Sequence, residues 1–387
     1  MSDARPKLIV FGFDAAEAAQ IRRMRSYLDC GFDVMGFMMR RANMNLDFNP
    51  FWENVHLFRT RNGGLPWRAA AVVGSVFKVL MNRRKLAGAD AIIARNLDLL
   101  AVAVAAQAMT RPNPPVIYEC LDIHDLMTDP GIKGRVTRAL ERALLARTSA
   151  LIISSPAFLR EYFAPVQNWD GPVALIENKL WIEDGGPERP APRVGSAPSE
   201  WTADAPLRLA WVGTLRCARS LAILAETADR MGDGVRIALH GAVHHHAVPE
   251  FEATLGACPN MTWHGAYAYP DDLAPIYAAS DLVWAQDLWQ WGTNSTWLLP
   301  NRIYEASYFG CPSIAVAGTE TGRRVENGLG WTVPEPSAEA LCALLARLSP
   351  ADVFARRQAL LTRPASEFRQ TAEEITNALH IGLAAPA

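Results

Sequence analysis

The chain has 387 residues, half of them hydrophobic and a fifth charged, a length that suits two domains and a composition that excludes a disordered chain. A formal net charge of −2 argues against a broad nucleic-acid-binding surface. Six cysteines with no C-x-x-C pair support neither a zinc site nor a disulfide framework, so reduced thiols are expected.

From the N-terminus, Lys7–Phe13 predicts a strand, Ala15–Leu28 a helix and Phe32–Met39 a second strand, with no signal-peptide pattern ahead of them. Ala91–Ala94, Pro115–Cys120, Ala150–Ser154 and Val173–Ile176 predict further strands. Short apolar runs alternating with helical periods indicate a parallel sheet with crossover helices. Between the strands, Pro66–Leu86 sets Ala69, Val72, Val73, Val76, Phe77 and Leu80 on one helical face, flanked by Arg68, Lys78, Arg83, Arg84 and Lys85. That pattern suits a helix lying on an anionic membrane surface or, equally, a helix packed inside a domain. The basic stretch Lys133–Arg147 would widen such a surface patch. Neither Ala69–Leu80 nor Leu99–Met109 reaches the roughly 20 apolar residues needed to span a bilayer. The expected location is therefore cytoplasmic, either free or peripheral on the cytoplasmic face of the inner membrane.

Ile182–Pro198 is rich in Gly, Pro and Ser and carries no apolar period, so it reads as a linker. The expected organisation is a domain over 1–181, a linker over 182–206, a second domain over 207–365 and a C-terminal helix over 366–387 able to pack back across either domain. The second domain repeats the alternation, with predicted strands Leu207–Trp211, Val235–Leu239, Met261–Trp263, Leu282–Trp284, Ser313–Val316 and Gly330–Val333. Helices are expected at Leu221–Arg230, Asp271–Ala279, Asn301–Tyr308 and Ala338–Arg347. The fold class is α/β, with two Rossmann-like domains facing a central cleft and ligands beyond the carboxyl ends of the strands.

Three loops carry chemistry. Strand Leu207–Trp211 ends in Val212-Gly213-Thr214-Leu215, followed by Arg216 and Arg219 at a helix start. A glycine turn, a helix N-terminus and two arginines suit a diphosphate; the bare pattern also fits a tight turn with solvated arginines. The run from Asn294 to Pro312 places Glu305 one turn into a helix, where a carboxylate can accept two hydrogen bonds from a ribose diol or simply face solvent. The loop Leu121-Asp122-Ile123-His124-Asp125-Leu126 follows a strand's carboxyl end. It packs two carboxylates and an imidazole into one loop, with Asp122, then Asp125, able to act as a general base and His124 beside them. Its plainer reading makes Asp125 a helix N-cap and His124 a turn residue. Gly12-Phe13-Asp14, with Arg22 and Arg23, forms another turn that can meet the acceptor. His244-His245-His246 reads as a polar loop, because three consecutive side chains cannot converge on one ion.

These residues resemble the GT-B-fold glycosyltransferases, close to the large family 4 group. Gly213 and Arg219 match that family's G-x-L turn with a basic residue six positions on, which grips the diphosphate. Glu305, ahead of Ala306, Gly310 and Pro312, matches its ribose-binding glutamate. Trp263-His264-Gly265-Ala266-Tyr267 resembles the turn that contacts the nucleotide base, placing Gly265 and Tyr267 there, and Ala278-Ala279-Ser280-Asp281 matches the helix-to-strand step that follows. Pro300-Asn301-Arg302 resembles a variant found in exopolysaccharide and capsule enzymes, which makes Asn294, Ser295 and Arg302 candidate phosphate or sugar contacts. Glu119-Cys120-Leu121-Asp122-Ile123-His124 and Ile176-Glu177-Asn178-Lys179 resemble enzymes of succinoglycan-type assembly. Many retaining members carry a second glutamate eight positions before the ribose-binding one; here Trp297 stands there.

The resemblance implies a glycosyltransferase that moves a sugar from a nucleotide diphosphate sugar, a UDP-sugar by preference. Gly213, Thr214, Arg219, Gly265, Tyr267, Asn294, Ser295, Arg302 and Glu305 would form the donor side. The implied acceptor is a polyprenyl-diphosphate-linked saccharide in exopolysaccharide biosynthesis, with no metal and no other cofactor required. A sugar-nucleotide 2-epimerase of the same fold and a non-catalytic assembly partner are the rival readings.

Overall fold

The computed structural model describes residues 5–41, 48–60, 65–183, 185–193 and 205–384. The chain forms two compact units, Met1–Glu177 together with Thr371–Ala387, and Asn178–Gln370.

Unit 1 is a seven-stranded sheet of β1 (Lys7–Gly12), β2 (Asp33–Arg41), β3 (Glu53–Thr60), β4 (Ala91–Arg95), β5 (Val116–Cys120), β6 (Ala150–Ile153) and β7 (Val173–Leu175). Their order is β3-β2-β1-β4-β5-β6-β7, and every pairing is parallel. Strands β1, β4, β5 and β6 are almost wholly buried, which is why each is written as an unbroken apolar run. Strand β3 was not anticipated. It lies at the sheet edge, and its polar Glu53, Asn54, His56 and Arg59 interrupt Val55, Leu57 and Phe58, so the apolar signal is thin.

Four helices matter below: α1 (Ala18–Asp29), α2 (Leu65–Met81), α3 (Leu97–Gln107) and α4 (Ile132–Leu145). Helix α3 is apolar through most of its length and packs against both α2 and α4. The C-terminal helix Ala372–Ala384 packs on α1, β6 and β7, burying Ile375 and Leu379, which lie one turn apart on the same face.

Unit 2 contains β8 (Leu207–Val212), β9 (Val235–His240), β10 (Met261–Trp263), β11 (Leu282–Trp284), β12 (Ser313–Val316) and β13 (Gly330–Val333). The order is β10-β9-β8-β11-β12-β13, again all parallel. The two-residue period of β8 is visible in its packing, since Leu209 and Trp211 enter one core cluster and Ala210 and Val212 the other. Helices α5 (Ala218–Met231), α6 (Leu273–Ala278), α7 (Asn301–Tyr308) and α8 (Pro350–Thr362) cover the sheet. Of the expected linker over 182–206, residue 184 and residues 194–204 lie outside the described residues, and residues 185–193 dock on unit 2 through Arg189 and Arg193.

In each sheet the strand order reverses next to the first strand of the unit, between β1 and β4 and between β8 and β11. The carboxyl ends at those reversals are where an open α/β sheet offers a ligand crevice.

Candidate active site

In unit 2 the three strand ends on one side of the reversal are laced together. The Gly213 N–H donates to the His240 carbonyl at 2.9 Å, the Gly241 N–H to the Gly265 carbonyl at 2.7 Å, and the Trp263 indole N–H to the Gly241 carbonyl at 3.0 Å. Gly241 has φ +138°, and a Cβ there would stand 1.7 Å from the Gly213 oxygen, so only glycine permits this approach. Gly213 itself has φ +116°, which turns the chain out of β8 towards α5. Thr214 is exposed on that turn. Cys217 caps α5 through its sulfur, which accepts from the Ser220 N–H at 3.4 Å. Arg219, in the first turn, is exposed and lies over the Trp291 ring with 5.3 Å between guanidinium carbon and centroid.

Helix α7 brings the other residues in. Glu305 is only 4% exposed, so it is not a solvated helix residue, and its Oε2 accepts from the Tyr277 hydroxyl at 3.3 Å. Burial holds the Tyr277 hydroxyl well above its usual pKa; Glu305 and Tyr267 add to that and Arg302 opposes it, so all three act on one buried hydroxyl. The Arg302 guanidinium lies beside Gly213, its Nη2 3.8 Å from where a Cβ on that glycine would be. Its Nη1 is buried with no hydrogen-bond partner among the described residues. A buried cationic donor without an acceptor is costly unless a ligand supplies one. Gly213, Tyr267, Tyr277, Arg302 and Glu305 thus converge.

The loop between β11 and α7 is wired rather than open. The Ser295 hydroxyl donates to Asp287 and accepts from the Gln290 N–H at 2.7 Å. Gln286, fully buried, donates to the Ser295 carbonyl at 3.1 Å and accepts from the Val316 N–H at 3.0 Å. Asn294 and Ser295 are both buried, and the Ser295 hydrogen bonds brace the loop that carries Trp291 and leads into α7. Asp287 also faces Arg216 at 4.0 Å. Gly265 follows β10 with φ +83°, and Tyr267 is half-buried against the cluster containing Tyr277. Trp297 is half-buried in the short helical turn Asn294–Trp297.

In unit 1, Asp122, His124 and Asp125 are exposed on the loop after β5. His124, rather than Asp125, caps the following turn: its Nδ1 accepts from the Leu126 N–H at 3.2 Å, which leaves the ring proton on Nε2 in the neutral form. Beneath the loop, Glu119 lies 2.8 Å from Arg23 and 3.1 Å from Arg95, all three buried. Burial alone would raise the Glu119 pKa, and the two guanidiniums more than reverse that, holding it below the usual carboxylate range. Arg23 is therefore occupied in this pair and does not face an acceptor from the α1 turn. Asp14 is buried as well, accepting from the Ala16 N–H at 3.1 Å. The consecutive histidines diverge, with His244 stacked on His246 and His245 edge-on to Phe251, while His240 stacks on His264 at 4.5 Å. Burial, with His264 alongside, pushes the His240 pKa down to about 4. Among the described residues no group of three or more His, Cys, Asp or Glu side chains is placed to hold a metal ion.

Residues 41–179 match the family described as glycosyl transferase 4-like domain. The chain is 36% identical over 345 residues to the succinoglycan biosynthesis protein ExoL of Rhizobium meliloti (strain 1021), covering 89% of this chain and 85% of that protein. The chain belongs to the family 4-like glycosyltransferases of exopolysaccharide biosynthesis. Its fold is that of GT-B enzymes. HepE from Anabaena, solved in complex with UDP and glucose, is 17% identical and matches 96% of this chain and 99% of its own with a TM-score of 0.66. WaaG, a glycosyltransferase involved in lipopolysaccharide biosynthesis, is 15% identical and matches 97% and 99% with a TM-score of 0.64.

The unit 2 arrangement sets two arginines, Arg219 and Arg302, at a strand-to-helix turn. Sequence reasoning missed Tyr277, Gln286, Asp287 and Trp291. The only signal for the middle pair was two polar residues directly after a buried strand, and Tyr277 looked like any apolar-face residue of a helix. No helix among the described residues is long and apolar enough to cross a membrane. The transferase nevertheless exposes Val73, Phe77, Leu80 and Met81 on α2 and Ile132, Val136 and Leu140 on α4.

Proposed function

We propose that this transferase moves a hexose from a UDP-sugar to a polyprenyl-diphosphate-linked saccharide at the cytoplasmic face of the inner membrane. The observation that carries the donor assignment is the Arg302 guanidinium beside Gly213, one Nη buried without an acceptor, on the same helix as buried Glu305. In this reading Arg302, Arg219 and the N-terminus of α5 hold the diphosphate, and Glu305 accepts from the ribose hydroxyls. Tyr267 and Gly265 border the base, and Thr214 lies on the phosphate turn. Asn294 and Ser295 are candidate phosphate or sugar contacts on a loop that the Ser295 hydrogen bonds brace. Neutralisation of the leaving group falls to these donors, with no metal required. HepE, with its bound UDP and glucose, supports this donor class by analogy of fold.

The acceptor hydroxyl oxygen forms a bond to the anomeric carbon while the carbon–oxygen bond to the diphosphate breaks, and UDP leaves with that electron pair. Asp122 takes the hydroxyl proton if the configuration inverts, with Asp125 second in line and His124 contacting phosphate or sugar. A front-face retaining transfer uses no such base, and Trp297 in place of a second carboxylate favours the inverting course. The membrane assignment is supported by the exposed apolar residues of α2 and α4 beside Lys78, Arg83, Arg84, Lys85, Lys133 and Arg135.

A thermal-shift screen of UDP, GDP and ADP sugars tests the donor. At about 100 times its dissociation constant the right donor should stabilise the chain by about 2.7 kcal/mol. Incubation with that donor and a lipid-linked saccharide should then release UDP and form a new glycosidic bond. An epimeric sugar nucleotide as the sole product would sink the transfer reading.

A further inference from the structure

The segment that precedes β8 within unit 2 is tied to the helix that carries Arg302 and Glu305. Arg189 donates from Nε to the Tyr308 carbonyl at 3.0 Å, from Nη1 to the Arg363 carbonyl at 2.7 Å and from Nη2 to the Leu360 carbonyl at 2.8 Å. Its guanidinium also lies 5.6 Å from the Tyr308 ring centroid and 5.5 Å from that of Phe368. Tyr308 ends α7 and Leu360 sits in the last turn of α8. One side chain therefore closes the carbonyl ends of two helices, where intrahelical donors run out and the helix dipole is negative.

The position matters because α7 is short. Eight residues have little helical stability of their own, so the ends must be held from outside. The partner helix is treated in the same way: Arg357, on α8, donates to the Tyr277 carbonyl at 2.8 Å and the Ser280 carbonyl at 2.9 Å, closing the end of α6. The two helices whose side chains meet at the Tyr277–Glu305 hydrogen bond are thus both closed by arginines from elsewhere. A shift of α7 by even an ångström would move Arg302 from Gly213 and Glu305 from Tyr277 together.

We infer that Arg189 is a positioning residue for the donor site, fixing from the linker the register of the helix that presents Arg302 and Glu305. This rests on the donor reading above. Arg189 touches no substrate; it acts through α7. By thermodynamic reciprocity, a nucleotide that holds Arg302 and Glu305 in register also holds the linker down.

The test is UDP binding to the full chain, followed by calorimetry. Arg189→Met should weaken UDP binding about tenfold, and Arg189→Lys, which keeps the charge but cannot fork to three carbonyls, should lose nearly as much. Combined with Glu305→Ala, the loss should be smaller than the product of the two single losses, because both act through one contact. An unchanged dissociation constant in Arg189→Met, or losses that multiply, overturns the positioning role. Hydrogen exchange on the unsubstituted chain gives a second measurement, immune to any folding defect: UDP should slow exchange across residues 185–193, and unchanged exchange there counts against the proposal. A wild-type chain that takes up no nucleotide overturns the donor reading itself, whereas wild-type uptake with indifferent Arg189 variants overturns only this inference.

Discussion

The carboxyl ends of the two sheets use the same strand-order reversal for opposite electrostatic purposes. In unit 1 both buried arginines, Arg23 and Arg95, are paired with the buried carboxylate of Glu119, and the exposed groups of the loop above are Asp122, His124 and Asp125. In unit 2 the buried positive charge is left short of an acceptor, with Arg302 Nη1 unpaired beside a glycine turn and Arg219 parked on an indole face. Topology alone therefore does not tell what a crevice is for. The difference lies in whether the protein's own carboxylates have already met its arginines.

Four substitutions bear on that contrast. Asp122→Asn removes the proposed base and should lower kcat about 10²–10⁴-fold with donor binding intact; a drop of less than about tenfold would mean a retaining course or another base. Glu119→Ala leaves two guanidiniums buried without their counter-charge and should cost about 3–5 kcal/mol in urea unfolding of the chain. Because the folded-state pKa of Glu119 is lowered, its contribution is present above the unfolded-state value and is lost as the pH falls through the folded one. The wild-type unfolding midpoint should therefore fall in acid more steeply than that of Glu119→Ala. Arg302→Ala should behave in the opposite manner, with little change in the unfolding midpoint but UDP affinity reduced by about 1.5–3 kcal/mol, read by calorimetry. The smallest effect is expected from Trp291→Ala, which removes the surface under Arg219 and should weaken UDP by about 0.5–1 kcal/mol.

Much of the architecture was legible because buried parallel strands are written as unbroken apolar runs with glycine or proline at their ends. Strand β12 was read as Ser313–Val316 and is found there, and β8 extends only one residue past its expected end. Strand β3 escaped because an edge strand needs only one apolar face, and Leu57 is the only fully buried side chain among its described ones. At the donor site the glycine turn and Glu305 could be singled out from spacing. The burial of Glu305 could not, since it depends on Tyr277 arriving from a helix 28 residues earlier in sequence. Ser295 shows the converse. The family motif singled it out as a candidate contact, but the bonds of its hydroxyl to Asp287 and Gln290 could not be foreseen, because no local pattern reveals those partners.

The last helix of the chain, Ala372–Ala384, belongs to the unit that begins it. Unit 2 is thus a continuous insertion into unit 1, joined to it by two peptide crossings rather than one. Deleting Ala372–Ala384 would strip a packing layer from unit 1 although unit 2 precedes it in sequence, and a single proteolytic nick at either crossing would still leave the halves covalently connected.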